Sequence, residues 1–144
     1  MNIEIITNSE VKAVEGEPGD FRVTLTNHPR YIDPVKCTGC GDCARHCPVT
    51  AVNSYNLGLD DRRATSIEYA QAVPLAFSID PDVCIGCGLC ENMCLAKAVT
   101  YDDAERETGI RVGSVILSSG SEGYDPAGLD FLGYSKYSNV VTSE

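Results

Sequence analysis

The chain has 144 residues, with 21 acidic against 11 basic side chains and a formal charge of −10. That length fits one or two small domains. The acidity disfavours nucleic acid and anionic membranes and suits basic docking patches on partners, unless it serves solubility alone. No apolar run approaches the roughly 20 residues that a membrane helix needs, so no membrane span is predicted.

In chain order, residues 2–7 (Asn-Ile-Glu-Ile-Ile-Thr) read as a strand. Residues 10–15 and 21–26 alternate apolar and polar, with Glu17-Pro18-Gly19-Asp20 as a turn between them, so a β-ribbon is predicted within residues 1–28.

All eight cysteines follow in two copies of one pattern, Cys37-x2-Cys40-x2-Cys43-x3-Cys47-Pro48 and Cys84-x2-Cys87-x2-Cys90-x3-Cys94. The copies are offset by 47 residues (84 minus 37, 94 minus 47). This is the spacing by which thiolates carry two [4Fe–4S] cubanes, and it predicts single-electron transfer. Three closely spaced cysteines on a tight loop reach three corners of a cubane. Gly39, Gly41, Gly86 and Gly88 lie between them, where positive φ lets backbone N–H groups point at sulfur. Cys43 and Cys47, like Cys90 and Cys94, are four apart, which one helical turn would place on one face.

In two-cluster ferredoxins the fourth Cys of each run serves the other cluster. Cluster I is therefore assigned to Cys37, Cys40, Cys43 and Cys94, and cluster II to Cys84, Cys87, Cys90 and Cys47. Zinc sites would more typically show paired Cys-x2-Cys knuckles than triplets. A disulfide framework suits a secreted chain, and no apolar signal segment opens this one.

The repeat extends beyond the ligands: Ile32-Asp33-Pro34 matches Ile79-Asp80-Pro81, and Ala51-Val52 matches Ala98-Val99. Each copy reads as strand, cluster loop, short helix, strand. Two such units predict the α+β sandwich of a bacterial two-cluster ferredoxin over residues 29–108, with Pro34 and Pro81 stopping the first strand of each. Residues 53–77 form an insertion. Gly58, Asp60, Asp61, Arg62 and Arg63 suggest an exposed loop, and Ala70-Gln71-Ala72-Val73-Pro74 a short packed piece ending at proline. Surface decoration is the expected role, with a cover over one cluster or a docking surface as alternatives.

After the ferredoxin part, Gly113-Ser-Val-Ile-Leu-Ser-Ser-Gly120 reads as a buried strand ending at glycine, opening a loop-rich tail within 109–144. Tyr124, Phe131, Tyr134 and Tyr137 there need something to pack on.

The order of strand, ribbon and later strand is similar to the FAD-binding half of disulfide-reductase-type flavoproteins. A two-cluster ferredoxin set between ribbon and final strand resembles the A subunit of heterodisulfide reductase. The matching stretches are Pro29-Arg30-Tyr31-Ile32-Asp33, Lys36 through Cys43, Gln71-Ala72-Val73-Pro74, Cys84 through Glu91, and Val140-Val141-Thr142-Ser143. The resemblance implies a cytoplasmic iron–sulfur flavoprotein. Such a protein passes electrons among hydrogenase or formate dehydrogenase-type donors, a flavin and disulfide-reducing subunits. This chain lacks the Gly-x-Gly-x-x-Gly fingerprint and has Leu117-Ser118-Ser119-Gly120 where such flavoproteins usually have an Ala-Thr-Gly turn. FAD is therefore expected only in a longer parent, of which this chain is a piece. The flanking strands would then be left with open edges, to pair with each other or to drive dimerisation.

The remaining residues suggest no substrate chemistry: no Ser–His–Asp set, P-loop or paired-carboxylate motif is present, and no catalytic residue is assigned. His28 and His46 are read as surface residues. Lys36, Arg45 and Lys97 flank ligands, either raising cluster potential by charge or lying solvated on the rim. Tyr31 and Tyr101 are expected to pack over the clusters. A free-standing ferredoxin and a structural metal-binding interaction domain remain as alternatives to an electron-relay module.

Overall fold

The structure, a computed structural model, describes residues 2–121 and 123–142, so Ser143 of the Val140–Ser143 stretch lies outside the described residues. The chain forms two compact units, Met1–Ser114 and Val115–Glu144.

The first unit opens with a hairpin. Strands β1 (Ser9–Glu17) and β2 (Asp20–Asn27) pair antiparallel around Pro18-Gly19, with a bulge between Val11 and Ala13. Gly19 has φ 97°, a left-handed turn position that glycine accepts without strain. A third strand, β7 (Arg106–Val112), pairs with β2 from the far side of the cysteine repeats, giving the order β1-β2-β7. Phe21 faces Val112, Val23 faces Ile110 and Leu25 faces Thr108, so β-branched and aromatic side chains meet across one face.

Two strand expectations are corrected. Residues 2–7 form no strand; pairing begins at Ser9. Residues 113–120 do not form the buried strand, which sits instead at Arg106–Val112, where period-2 alternation half-buries Ile110 and Val112. The apolar triplet Val115-Ile116-Leu117 finds no partner strand, and Leu117 is 87% exposed.

Between β2 and β7 the two repeats fold around each other. The first strand of copy one is reduced to a bridge from Ile32 to Val99, the last residue of copy two's repeat. The Asp33 N–H donates to the Ala98 carbonyl (2.8 Å) and the Thr100 N–H to the Tyr31 carbonyl (3.0 Å). Copy one continues through helix α1 (Asp42–Arg45) to β3 (Thr50–Val52). Copy two runs from β6 (Ser78–Ile79) through helix α2 (Leu89–Met93). These few short helices and antiparallel pairs make a ferredoxin-like α+β domain.

The insertion does more than decorate the surface. Its residues Asp61–Arg63 form β4, paired with β3, and Thr65–Ser66 form β5, paired with β6. Gly58, Asp60, Asp61 and Arg63 are exposed as expected, but Asp61–Arg63 form a strand rather than a loop, and Ala64, Thr65, Ala76 and Phe77 of the insertion are buried. Residues 70–74 run the other way: Ala70, Gln71 and Val73 are exposed, and this stretch packs little. In the second unit, 3-10 turns occupy Pro126–Gly128 and Asp130–Leu132; Tyr134 is half-buried, while Tyr124, Phe131 and Tyr137 stay exposed.

Candidate iron–sulfur site

Each cluster loop starts on an aspartate. The Asp33 carboxylate accepts the Val35 N–H (2.8 Å) and Asp80 accepts the Asp82 N–H (2.9 Å). At the same positions their backbone carbonyls accept the N–H of Cys37 (2.9 Å) and Cys84 (3.1 Å). These hydrogen bonds end the strand and turn the chain into the loop in both copies. The carboxyls are held below their usual value, at Asp33 first by the Val35 N–H and at Asp80 first by the Arg62 guanidinium with which it ion-pairs.

The loops then pass through glycines with left-handed backbone. Gly39 (φ 69°) and Gly41 (φ 82°) recur as Gly86 (68°) and Gly88 (73°), and Gly41 and Gly88 each precede a helix. A Cβ on Gly39 would stand 2.9 Å from Leu75 Cγ and 3.1 Å from the Leu75 carbonyl oxygen. One on Gly41 would touch Phe77 at 3.5 Å. The end of the insertion thus lies directly on the first loop. Phe77 was missed as a site residue; its counterpart 47 positions earlier is Arg30, so the repeat gave no signal for it.

A cavity of about 340 Å³ lies beneath the first loop. Cys37, Cys40 and Cys43 line it together with Cys94 from the other run, and Phe77 and Ile32 close its apolar side. The helices stop short of the fourth cysteines. Helix α1 ends at Arg45, two residues before Cys47, and Cys94 lies just past α2 with extended backbone (ψ 99°). The expectation that one helical turn holds Cys43 with Cys47, and Cys90 with Cys94, on a shared face is corrected accordingly.

The thiols form part of the core. Cys43 and Cys90 are buried with Ile32, Phe77, Ile79 and Ala98, and Cys37, Cys84 and Cys94 pack against that group. Cys47 is half-buried, while Cys40 and Cys87 lie exposed at the loops. Burial pushes the Cys43 thiol up to about 11, so a metal bound there at neutral pH must displace its proton. Backbone donors already reach sulfur: Gly86 N–H to Cys84 Sγ at 3.4 Å and Ala98 N–H to Cys94 Sγ at 3.3 Å. Among the described residues, no three Cys, His, Asp or Glu side chains converge as the ligands of a single ion would. The four thiols of the first site stand around a space instead.

The other sequence candidates sit at the margins. Lys36 pairs with Asp33 (3.5 Å) and Arg45 with Asp42 (2.6 Å), both on the exposed rim. His46 is exposed, but His28 is half-buried, with Nδ1 3.2 Å from Glu105 and Nε2 3.6 Å from Glu10. Neither lines the cavity. Tyr31 packs against the core, and the Tyr101 hydroxyl lies 3.4 Å from Cys90 Sγ, with burial the first cause holding its pKa above the ordinary value.

Left-handed glycine loops, thiols ringing a cavity and a ferredoxin-like frame define an iron–sulfur electron-transfer protein. Residues 30–94 match the 4Fe-4S dicluster domain family. Over 142 residues, 99% of its length, the chain is 49% identical to the A subunit of the H(2)/formate:CoB-CoM heterodisulfide,ferredoxin reductase of Methanococcus maripaludis, covering 22% of that protein. It is 46% identical to the iron-sulfur A subunit of the CoB--CoM heterodisulfide reductase of Methanocaldococcus jannaschii, with the same coverage of 99% and 22%. Against the A subunit of the ferredoxin:CoB-CoM heterodisulfide reductase of Methanosarcina acetivorans it is 35% identical, covering 97% of this chain and 18% of the relative. The chain is thus similar over nearly its whole length to heterodisulfide reductase A subunits, and it spans about a fifth of the length of these relatives.

Proposed function

We propose that this chain relays electrons through two [4Fe–4S] clusters with crossed ligation. Cys37, Cys40, Cys43 and Cys94 would hold cluster I, and Cys84, Cys87, Cys90 and Cys47 cluster II. The observation that carries the reading is the cavity lined by three cysteines of one run and the fourth of the other. The residues fit the group: glycine loops leave room at the rim, and N–H donors already point at Cys84 and Cys94 sulfur. When bound, the clusters supply reversible one-electron redox chemistry. The protein's part is to hold them close, exclude water on the Phe77 and Ile32 side, and set their potentials through hydrogen bonds and charge.

In the parent protein this module would sit between the ribbon and the returning strand of a disulfide-reductase-type flavoprotein domain. The pairing of β2 with β7 supports that reading, since the two strands flank the cysteine repeats in sequence and adjoin in space. The FAD would bind the parent outside this chain. Cytoplasmic partners would be disulfide-reducing subunits and hydrogenase or formate dehydrogenase-type donors, as the relatives' names suggest. Strands β1 and β7 are the outer strands of their sheet, where the parent's sheet or a second copy would add. Among the described residues no helix is long and apolar enough to cross a membrane.

The test is anaerobic reconstitution followed by iron and sulfide analysis and EPR of the reduced protein. Two cubane clusters per chain are expected, and Cys94→Ser should damage the cluster of Cys37, Cys40 and Cys43 more than its neighbour. A colourless zinc protein would overturn the relay, and selective damage to the Cys84–Cys90 cluster would overturn the crossing.

A further inference from the structure

Tyr101 lies two residues past the Ile32–Val99 bridge, which joins the first copy to the end of the second. The Thr100 N–H is bonded to the Tyr31 carbonyl at 3.0 Å, so the backbone just before Tyr101 is pinned. From there its hydroxyl reaches Cys90 Sγ at 3.4 Å. As a free thiol, Cys90 could donate or accept in this contact. As a thiolate on iron it has no proton, and only the tyrosine can donate.

The repeat isolates this contact as a property of one site. The residue 47 positions before Tyr101 is Ser54, an exposed residue of the insertion whose carbonyl accepts the Leu57 N–H at 3.2 Å. It lines a polar cavity with Asn53, Arg62 and Asp80, away from the cysteine-lined one. The first copy therefore has no tyrosine at the position from which the second copy reaches its buried cysteine. Hydrogen bonds to ligand sulfur raise the potential of an iron–sulfur cluster, because they stabilise the more negative reduced form.

We propose that Tyr101 is a potential-setting residue: its hydroxyl donates to the Cys90 sulfur and raises the reduction potential of the cluster bound by Cys84, Cys87 and Cys90. This rests on the two-cluster reading above. The hydroxyl opposes the local charge: Asp82 and Glu91 flank the second loop, while Lys36 and Arg45, each paired with an aspartate, flank the first. Those four side chains belong to exposed residues and are screened by water. The hydroxyl acts on a ligand atom itself.

The experiment is an EPR-monitored redox titration of the reconstituted protein and its Tyr101→Phe variant. A Cys87→Ser variant identifies which signal belongs to the second cluster. Tyr101→Phe keeps the ring and removes only the donor; it should lower the midpoint potential of the second cluster and leave the first unchanged. Placing 3-fluorotyrosine at position 101, whose more acidic hydroxyl donates more strongly, should move the second cluster upward. Unchanged potentials in both Tyr101 variants, or an equal shift of both clusters, would overturn the proposal. Absence of two reducible signals in the unmodified protein would instead overturn the two-cluster reading.

Discussion

At Gly39 the backbone and the neighbour act together. Its φ of 69° alone costs a substituted residue roughly 1 kcal/mol, and a Cβ there would also press on Leu75 at 2.9 Å and on its carbonyl oxygen at 3.1 Å. Gly86, its counterpart in the second loop, has φ 68° and nothing within 4 Å of the place a Cβ would take. Gly39→Ala should therefore lower the stability of the reconstituted protein by about 2 kcal/mol and Gly86→Ala by about 1 kcal/mol. Chemical denaturation followed by loss of visible absorption compares them; equal losses would mean that Leu75 yields freely and does not brace the first loop. The cysteines and glycines of this site were legible in the sequence because cluster geometry fixes both their spacing and their backbone. Phe77 and Leu75 were not legible, since any apolar residue arriving from the insertion could have closed that side.

At the scale of elements, the Arg62–Asp80 ion pair ties β4 to the turn that opens the second cluster loop. Both side chains are about a quarter exposed, so the pair contributes on the order of 1 kcal/mol or less. Asp80 is held below its usual value near 3.8, first by Arg62. Its folded-state pKa is thus lower than its unfolded one, so the stabilisation is present above about pH 4 and fades as pH falls through the folded-state value. Asp80→Asn should lower the melting temperature by a few degrees at pH 7, and the gap from the unmodified protein should close toward pH 3. A gap that stays constant with pH would show that the carboxylate's charge is not what matters. Strand β4 itself escaped the sequence reading because Asp61-Arg62-Arg63 carries no apolar alternation; it is a strand by pairing with β3 and by the Arg62 contact. The returning strand was mislocated for the opposite reason. Val115-Ile116-Leu117 has the stronger apolar signal, but Thr108, Ile110 and Val112 have the register that fits β2, despite Gly109 among them.

At the scale of the whole first unit, two cores meet with different dependence on metal. The sheet β1-β2-β7 buries Val23 and Leu25 and is held by its own ladders. The ferredoxin part has a small buried core in which Cys43 and Cys90 stand among Ile32, Phe77, Ile79 and Ala98, with Cys37, Cys84 and Cys94 packed against it, so ligation supplies much of what apolar burial would otherwise give. Removing the clusters under anaerobic conditions with a chelator and oxidant should thus unfold one part before the other. In hydrogen exchange, the amides of Asp33, Ile79, Asp80 and Thr100, bonded to Ala98, Arg30, Ala64 and Tyr31, should lose protection in the apo protein. Amides of β2 bonded to β1 and β7 should keep most of theirs. Retained protection at all four sites would mean that the ferredoxin fold stands without its clusters. Simultaneous loss in β2 would mean that the strands flanking the repeats depend on the clusters they enclose, making the ribbon and the relay a single cooperative unit.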